Sequence, residues 1–334
     1  MTRLPEPVGD TVRVGRPAIP RAALPPVIDN HGVSFRAAVP DDLPACAAIW
    51  RESINDYLGL RNIRLIPDEL GPITRLHRHL QSTDPSRFVV ATRPGTDGLA
   101  DRIVGFGSAV MRERLWFLSM LFVRPGEQGR GLGRALLDRM MPPADSGSSL
   151  ATATDSMQPI SNALYASIGI VPRMPLLSLV GRPDRPEALG ALPAGVRVDP
   201  IEATDAGEVD SLDRVVLGVR HPVDHAFVRS EGRQGFLYRT PAGEVAGYGY
   251  TSAVGRVGPV GVRDAALLWP VLSHLLTVIE PRGASAVLVP GNAGEAVAGL
   301  LHAGLRLEDY PILVCWSEPF ADFTRYLPIS SGLL

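Results

Sequence analysis

The stretch Leu115-Trp116-Phe117-Leu118-Ser119-Met120-Leu121-Phe122-Val123, then Arg124-Pro125-Gly126-Glu127-Gln128-Gly129-Arg130-Gly131-Leu132-Gly133, then Arg134-Ala135-Leu136-Leu137-Asp138-Arg139-Met140, decides how this chain is read. The first run is apolar and of strand length. The last places its apolar residues at helical spacing. Between them lies a Gly-dense turn. Glycine allows positive φ and lets a ligand approach the backbone. A turn that opens a helix leaves its first N–H groups unpaired, and the helix dipole favours an anion there. Arg124, Arg130 and Arg134 are placed to add charge-assisted bonds. A pyrophosphate is the natural guest.

Three kinds of phosphate loop compete for this pattern. A Walker A loop needs a lysine after its second glycine, and the chain has none, since all 33 basic residues are arginine. A dinucleotide fingerprint needs Gly-x-Gly-x-x-Gly in the first βα turn and an acidic residue about 20 positions on. Here the glycines are Gly129, Gly131 and Gly133, the turn follows a hairpin, and the next strand has no acid before Asp155. The third pattern, Val-x-Pro-x-x-Gln-x-x-Gly-x-Gly after a strand, is matched from Val123 to Gly133. It resembles the acyl-CoA loop of GNAT acetyltransferases.

Outward from the loop, strands 33–36, 87–92, 102–111, 115–123, 149–154 and 175–180 alternate with helical stretches 42–58, 68–81, 131–141 and 160–168. Asp41 or Asp42 is placed to cap the first helix. A second set follows a Pro/Gly-dense linker at 181–195. It has strands near 196–199, 235–239, 244–253, 256–262, 285–289 and 311–317, and helices near 205–219, 264–279 and 293–303. Val104-Gly105-Phe106-Gly107 answers to Ala246-Gly247-Tyr248-Gly249. Ile168-Gly169-Ile170 answers to Ala303-Gly304-Leu305. The two openings also match, so the chain reads as an internal duplication: an α+β protein with a Pro-rich arm (1–32), a first domain (33–180), the linker and a second domain (196–334).

The resemblance implies more. Two tandem GNAT domains would each be a twisted mixed sheet flanked by helices. The donor would be acetyl-CoA or another acyl-CoA, and the acceptor a small-molecule amine. Cofactor contacts would come from Leu121, Phe122, Val123, Gln128, Gly129, Arg130, Gly131, Leu132, Gly133, Arg134 and Asn162. Asn162 and Tyr165 stand before Gly169 as the family places an Asn and a Tyr, and Tyr165 would protonate the leaving thiolate. Backbone N–H groups near Leu121 to Val123 would hold the oxyanion. The family's usual carboxylate on the strand before the loop is missing, which leaves Glu113 at the hairpin end as the nearest candidate base. The second half lacks the Gln and the glycine pair at Val262-Arg263-Asp264-Ala265-Ala266, so it reads as degenerate. It could still hold the acceptor chemistry or a second acyl-CoA. A CoA-binding protein without transferase activity is the rival reading. Two-domain members occur in antibiotic pathways, which implies a place in antibiotic biosynthesis or modification.

Composition narrows the partners. A net charge of −2 offers no basic field for nucleic acid. No apolar run approaches bilayer length and no signal-peptide core is visible, so a cytoplasmic protein is expected, as a monomer or homodimer. Cys46 and Cys315 are expected as two buried thiols. His221-x3-His225 has the spacing of a helical metal pair, but Pro222 intervenes and no third ligand is evident, so no metal is expected.

Overall fold

The structure is a computed structural model that describes residues 32–95 and 101–334. Of the expected arm at 1–32, all but Gly32 lies outside the described residues. The first half runs β1 (Ser34–Ala37), α1 (Leu43–Leu60), α2 (Gly71–Thr83), β2 (Phe88–Arg93), β3 (Arg102–Arg112), β4 (Leu115–Val123), α3 (Leu132–Met140), β5 (Ser149–Asp155), α4 (Pro159–Ala166) and β6 (Val171–Gly181). The second runs β7 (Arg197–Pro200), α5 (Ala206–Val216), α6 (Pro222–Ser230), β8 (Gln234–Arg239), β9 (Val245–Thr251), β10 (Arg256–Val257), β11 (Val260–Val262), α7 (Leu268–Thr277), β12 (Ser285–Pro290), α8 (Gly294–His302), β13 (Arg306–Trp316) and β14 (Tyr326–Leu327). The α+β tandem arrangement is as the sequence implied.

The paired motifs have a physical cause. At Gly107 a side chain would strike Met140 of α3, its Cβ falling 2.4 Å from the Met140 Cε. At Gly249 it would strike Leu275 of α7, at 2.5 Å. Each glycine lets a helix lie close on its sheet. Gly169 (φ +87°) and Gly304 (φ +107°) are the left-handed residues that end α4 and α8. The N–H of the next residue donates to a carbonyl five back, Ile170 to Tyr165 and Leu305 to Leu300, each at 3.0 Å. Asp42 does not cap α1 forward. Its carboxylate turns back to accept from the Val39 N–H at 2.8 Å and from Arg36.

One sheet runs β1-β2-β3-β4-β5-β13-β6-β12-β10 and the other β14-β11-β9-β8-β7. The last long strand of each half is exchanged. β13 lies between β5 and β6 of the first half, and β6 lies between β13 and β12 of the second. One hydrophobic core combines α1 and α2 with α5, α6 and the tail. A second packs α7 and α8 on β12. A third packs α3 and Tyr165 of α4 on the other face of β2–β4. Cys46 and Cys315 are buried and unpaired.

Candidate active site

The loop after β4 is held from below. Gln128 Nε2 donates to the Val123 carbonyl at 2.8 Å. Glu127 is buried, and Arg93 (2.8 Å), Arg102 (3.1 Å) and Arg130 (3.1 Å) converge on it. The bond from Arg93 keeps its carboxyl below the ordinary carboxylate range, although burial opposes this. Gly129 (φ +75°) and Gly131 (φ +78°) turn the chain in the left-handed region, and a side chain at either would meet nothing within 4 Å. Among the described residues, the backbone N–H groups from Gly129 to Arg134 have no protein partner. Glycine amides facing open space at a helix start are what a diphosphate requires. Arg124 bonds Glu52 and the Ile103 carbonyl, while Arg134 bonds Asp138 at 2.8 Å. Each of the three loop arginines is thus paired with a protein acceptor.

β4 and β5 pair in parallel from Leu115↔Ser149 to Leu118↔Thr152 and then separate. Alternation decides which amides face the gap. The Arg124 N–H bonds Val104 of β3 at 2.9 Å. In an antiparallel ladder, the residues on either side of such a pair point the other way. By that alternation Leu121 and Val123 turn their N–H groups to the open side, and Phe122 turns its own to β3.

Tyr165 is buried on the α3/α4 face. Burial, and to a lesser degree Cys315, push its hydroxyl well above the ordinary range, against an opposing bond with Ser161. A tyrosine so placed is protonated at neutral pH and able to donate. Asn162 Nδ2 donates to the carbonyls of Asp155 (3.0 Å) and Gln158 (2.8 Å). Its Oδ1 is buried with no partner, an acceptor left over for a ligand N–H.

Glu113 is not brought to this place. It sits at φ +49° in the turn between β3 and β4. Its carboxylate binds Arg220 (2.7 Å) and Arg214 (3.1 Å), which lower its pKa. Val123 is ten positions along the strand from Glu113, about 30 Å at about 3.3 Å per residue. A base for chemistry at the gap cannot act from there.

The sequence reading passed over a different carboxylate. Asp155 ends β5 three residues beyond Thr152, the last partner of β4, as Leu121 lies three residues beyond Leu118. Its Oδ2 accepts from the Tyr57 hydroxyl of α1 at 2.5 Å and its Oδ1 from the Met157 N–H at 2.8 Å. Burial and the Asp155 charge push the Tyr57 hydroxyl up. Asp155 thus faces α1, whereas Tyr165 faces α3 and α4, so the gap joins the two faces of the sheet. The signal lay in its position at the tip of a strand that leaves its neighbour.

The second half closes the matching positions with its own chain. The Arg263 N–H bonds Ala246 (2.8 Å), as Arg124 bonds Val104. The Val262 N–H, equivalent to that of Val123, donates to the Arg325 carbonyl at 3.0 Å, and β14 pairs along β11. At the helix start the Asp264 carboxylate accepts from the Ala266 N–H at 3.0 Å, occupying the place an anion would take. The tail aromatics Phe320 and Phe323 pack on Trp316.

Residues 51–170 match the acetyltransferase (GNAT) family. No curated protein matches the chain. Among solved structures, an acetyltransferase described as putative from Pyrococcus horikoshii is similar at 15 % identity. It covers 91 % of this chain and 96 % of that one, with a TM-score of 0.68. A tandem GNAT protein from the clavulanic acid biosynthesis pathway is similar at 19 % identity, covering 86 % and 99 %, with a TM-score of 0.53. Saccharomyces cerevisiae N-myristoyltransferase with bound myristoyl-CoA shares 9 % identity over 96 % and 89 %, with a TM-score of 0.54. Residues 51–170 therefore match the acetyltransferase (GNAT) family, within a chain whose fold is similar to that of a tandem GNAT protein.

Proposed function

We propose that this chain is an N-acyltransferase that moves an acetyl group from acetyl-CoA to a small-molecule amine, working from its first half. The observation that carries the reading is an asymmetry between like positions. The loop amides from Gly129 to Arg134 have no protein partner and those of Leu121 and Val123 face the gap in the first half, while in the second Asp264 takes the Ala266 amide and β14 with Arg325 covers β11. Catalysis, or a second acyl-CoA, in the second half has no such opening to use.

Acetyl-CoA brings the activated acyl group as a thioester. In this reading the amides from Gly129 to Arg134 hold its diphosphate, Asn162 Oδ1 accepts an N–H of its pantetheine arm, and Gln128 and Leu132 keep the loop in shape. The amine enters from the α1 face. Asp155, oriented by Tyr57, takes the amine's proton as the nitrogen–carbon bond forms. The N–H groups of Leu121 and Val123 stabilise the charge on the carbonyl oxygen. Tyr165 gives its proton to the sulfur as the carbon–sulfur bond breaks.

The test is thiol release from acetyl-CoA with a panel of small amines, headed by amine intermediates of antibiotic biosynthesis, since one fold neighbour belongs to such a pathway. Tyr165→Phe should lower kcat by about 10²–10⁴-fold and leave acetyl-CoA affinity unchanged. Unchanged turnover in that variant would refute the assignment. Tight binding with no turnover on any amine would favour the reading of a non-catalytic acyl-CoA-binding protein.

A further inference from the structure

The turn between α5 and α6 brings together three metal-binding side chains that the proposed reaction does not use. Asp213 of α5, His221 before α6 and His225 in its first turns each offer one donor atom, all within 4.8 Å of one another, and all three are buried. Pro222 does not interrupt the pair. It occupies the first turn of α6, where no intrahelical N–H is needed. The third ligand comes from the preceding helix, which is why local spacing did not reveal it.

Two zinc donors about 2.0–2.1 Å from the ion at a tetrahedral angle lie about 3.3 Å apart. His221 Nε2 is 3.3 Å from Asp213 Oδ2. His225 Nε2 is 2.8 Å from the same oxygen and need open by only about 0.5 Å to reach that separation. Neither ring nitrogen of His221, nor Nδ1 of His225, makes a well-aligned hydrogen bond, although His221 lies between the Asp213 and Asp224 carboxylates. Buried imidazoles in that state call for an explanation.

The surrounding groups are those of a metal centre's outer shell. Asp224 Oδ2 lies 3.7 Å from His221 Nδ1, as a carboxylate sits behind a ligating histidine. Asp213 Oδ1 accepts from the Tyr248 hydroxyl at 2.5 Å. Asp224 is fixed by Arg112 Nε (2.7 Å) and by His79 Nε2 (2.6 Å). The buried carboxylates Asp84, Asp213 and Asp224 face the Arg112 guanidinium and the imidazoles of His79, His221 and His225, with Arg87 4.0 Å from Asp84 at the rim.

We infer that Asp213, His221 and His225 form a buried site for a divalent cation, zinc by its donor set of two imidazoles and a carboxylate. It fastens the α5–α6 turn to the junction of the two halves, where Asp224 meets Arg112 of β3.

The full chain, free of any histidine tag, is loaded with zinc, dialysed and assayed for metal and for thermal unfolding. We expect one zinc per chain, a melting temperature raised by zinc and lowered by a chelator, and the visible spectrum of four-coordinate cobalt on substitution. Asp213→Asn should abolish binding. Asp224→Asn, which spares the ligands, should weaken zinc about 10–100-fold and guards against a misfolded ligand variant. His302→Ala, on the exposed side of α8, should bind as the parent does. The inference falls if the folded parent retains no zinc and melts alike with zinc and chelator, if Asp224→Asn binds as tightly as the parent, or if His302→Ala loses the metal.

Discussion

His77 and His79, two positions apart on α2, meet opposite fates. His79 reaches Asp224 and stacks on Phe227 at 4.4 Å between centroids. His77 lies fully buried against Phe88 and Phe106, its ring nitrogens without partners, and burial pushes its pKa down to about 4. An unfolded His77 binds a proton near pH 6.5 and the folded one does not until about pH 4. The unfolded state thus holds more protons in that window, and stability falls as pH drops through it, by roughly 3 kcal/mol at most from this group. His77→Leu should remove that slope in denaturation curves taken between these pH values. It should also stabilise the protein at neutral pH by about 1–3 kcal/mol, since an unsatisfied buried group is lost. At the same scale, Asp155→Asn should cut kcat about 10²–10⁴-fold with little change in acetyl-CoA affinity, whereas Glu113→Gln should leave kcat near that of the parent. Steady-state kinetics on the best amine separates the two. Tyr165 and Asn162 are candidates because a motif names them. Asp155 was not, since its meaning depends on the parting of two strands.

The strand, turn and helix from β4 to α3 were legible almost to the residue, because apolar run, glycine cluster and helical spacing agree with one another there. Gly131→Ala tests the turn. A side chain at φ +78° costs about 1–2 kcal/mol. The added methyl points into open space, so acetyl-CoA affinity should fall by more than stability does, as calorimetric titration beside thermal melts would show. Other elements were illegible for physical reasons. The stretch read as one strand at 256–262 is β10 and β11, because Pro259 has no N–H to continue a ladder and each fragment pairs with a different neighbour. Helix α6, which opens on His221-Pro222, is absent from the expected helices, since nine residues give its periodicity little length to register. β14 has two residues, too few for any alternation to register.

At the scale of the whole molecule, duplication was visible in matched glycines, but the exchange of β6 and β13 was not. Strand partnership across 140 positions leaves no periodic trace in sequence. It makes the halves interdependent, since β13 supplies the neighbour that both β5 and β6 require. Residues 1–195 expressed alone should therefore lack cooperative unfolding by circular dichroism and aggregate through unpaired edges. The intact chain should unfold in one transition. No helix among the described residues is long and apolar enough to cross a membrane.

The measurement closest to the centre of the account is a crystal structure of this chain with acetyl-CoA. The account predicts one coenzyme per chain. Its diphosphate should lie on the amides from Gly129 to Arg134, and its pantetheine arm along Leu121 and Val123 between β4 and β5. A coenzyme seated in the second half against β11, or a first-half turn left empty at saturating coenzyme, would contradict it.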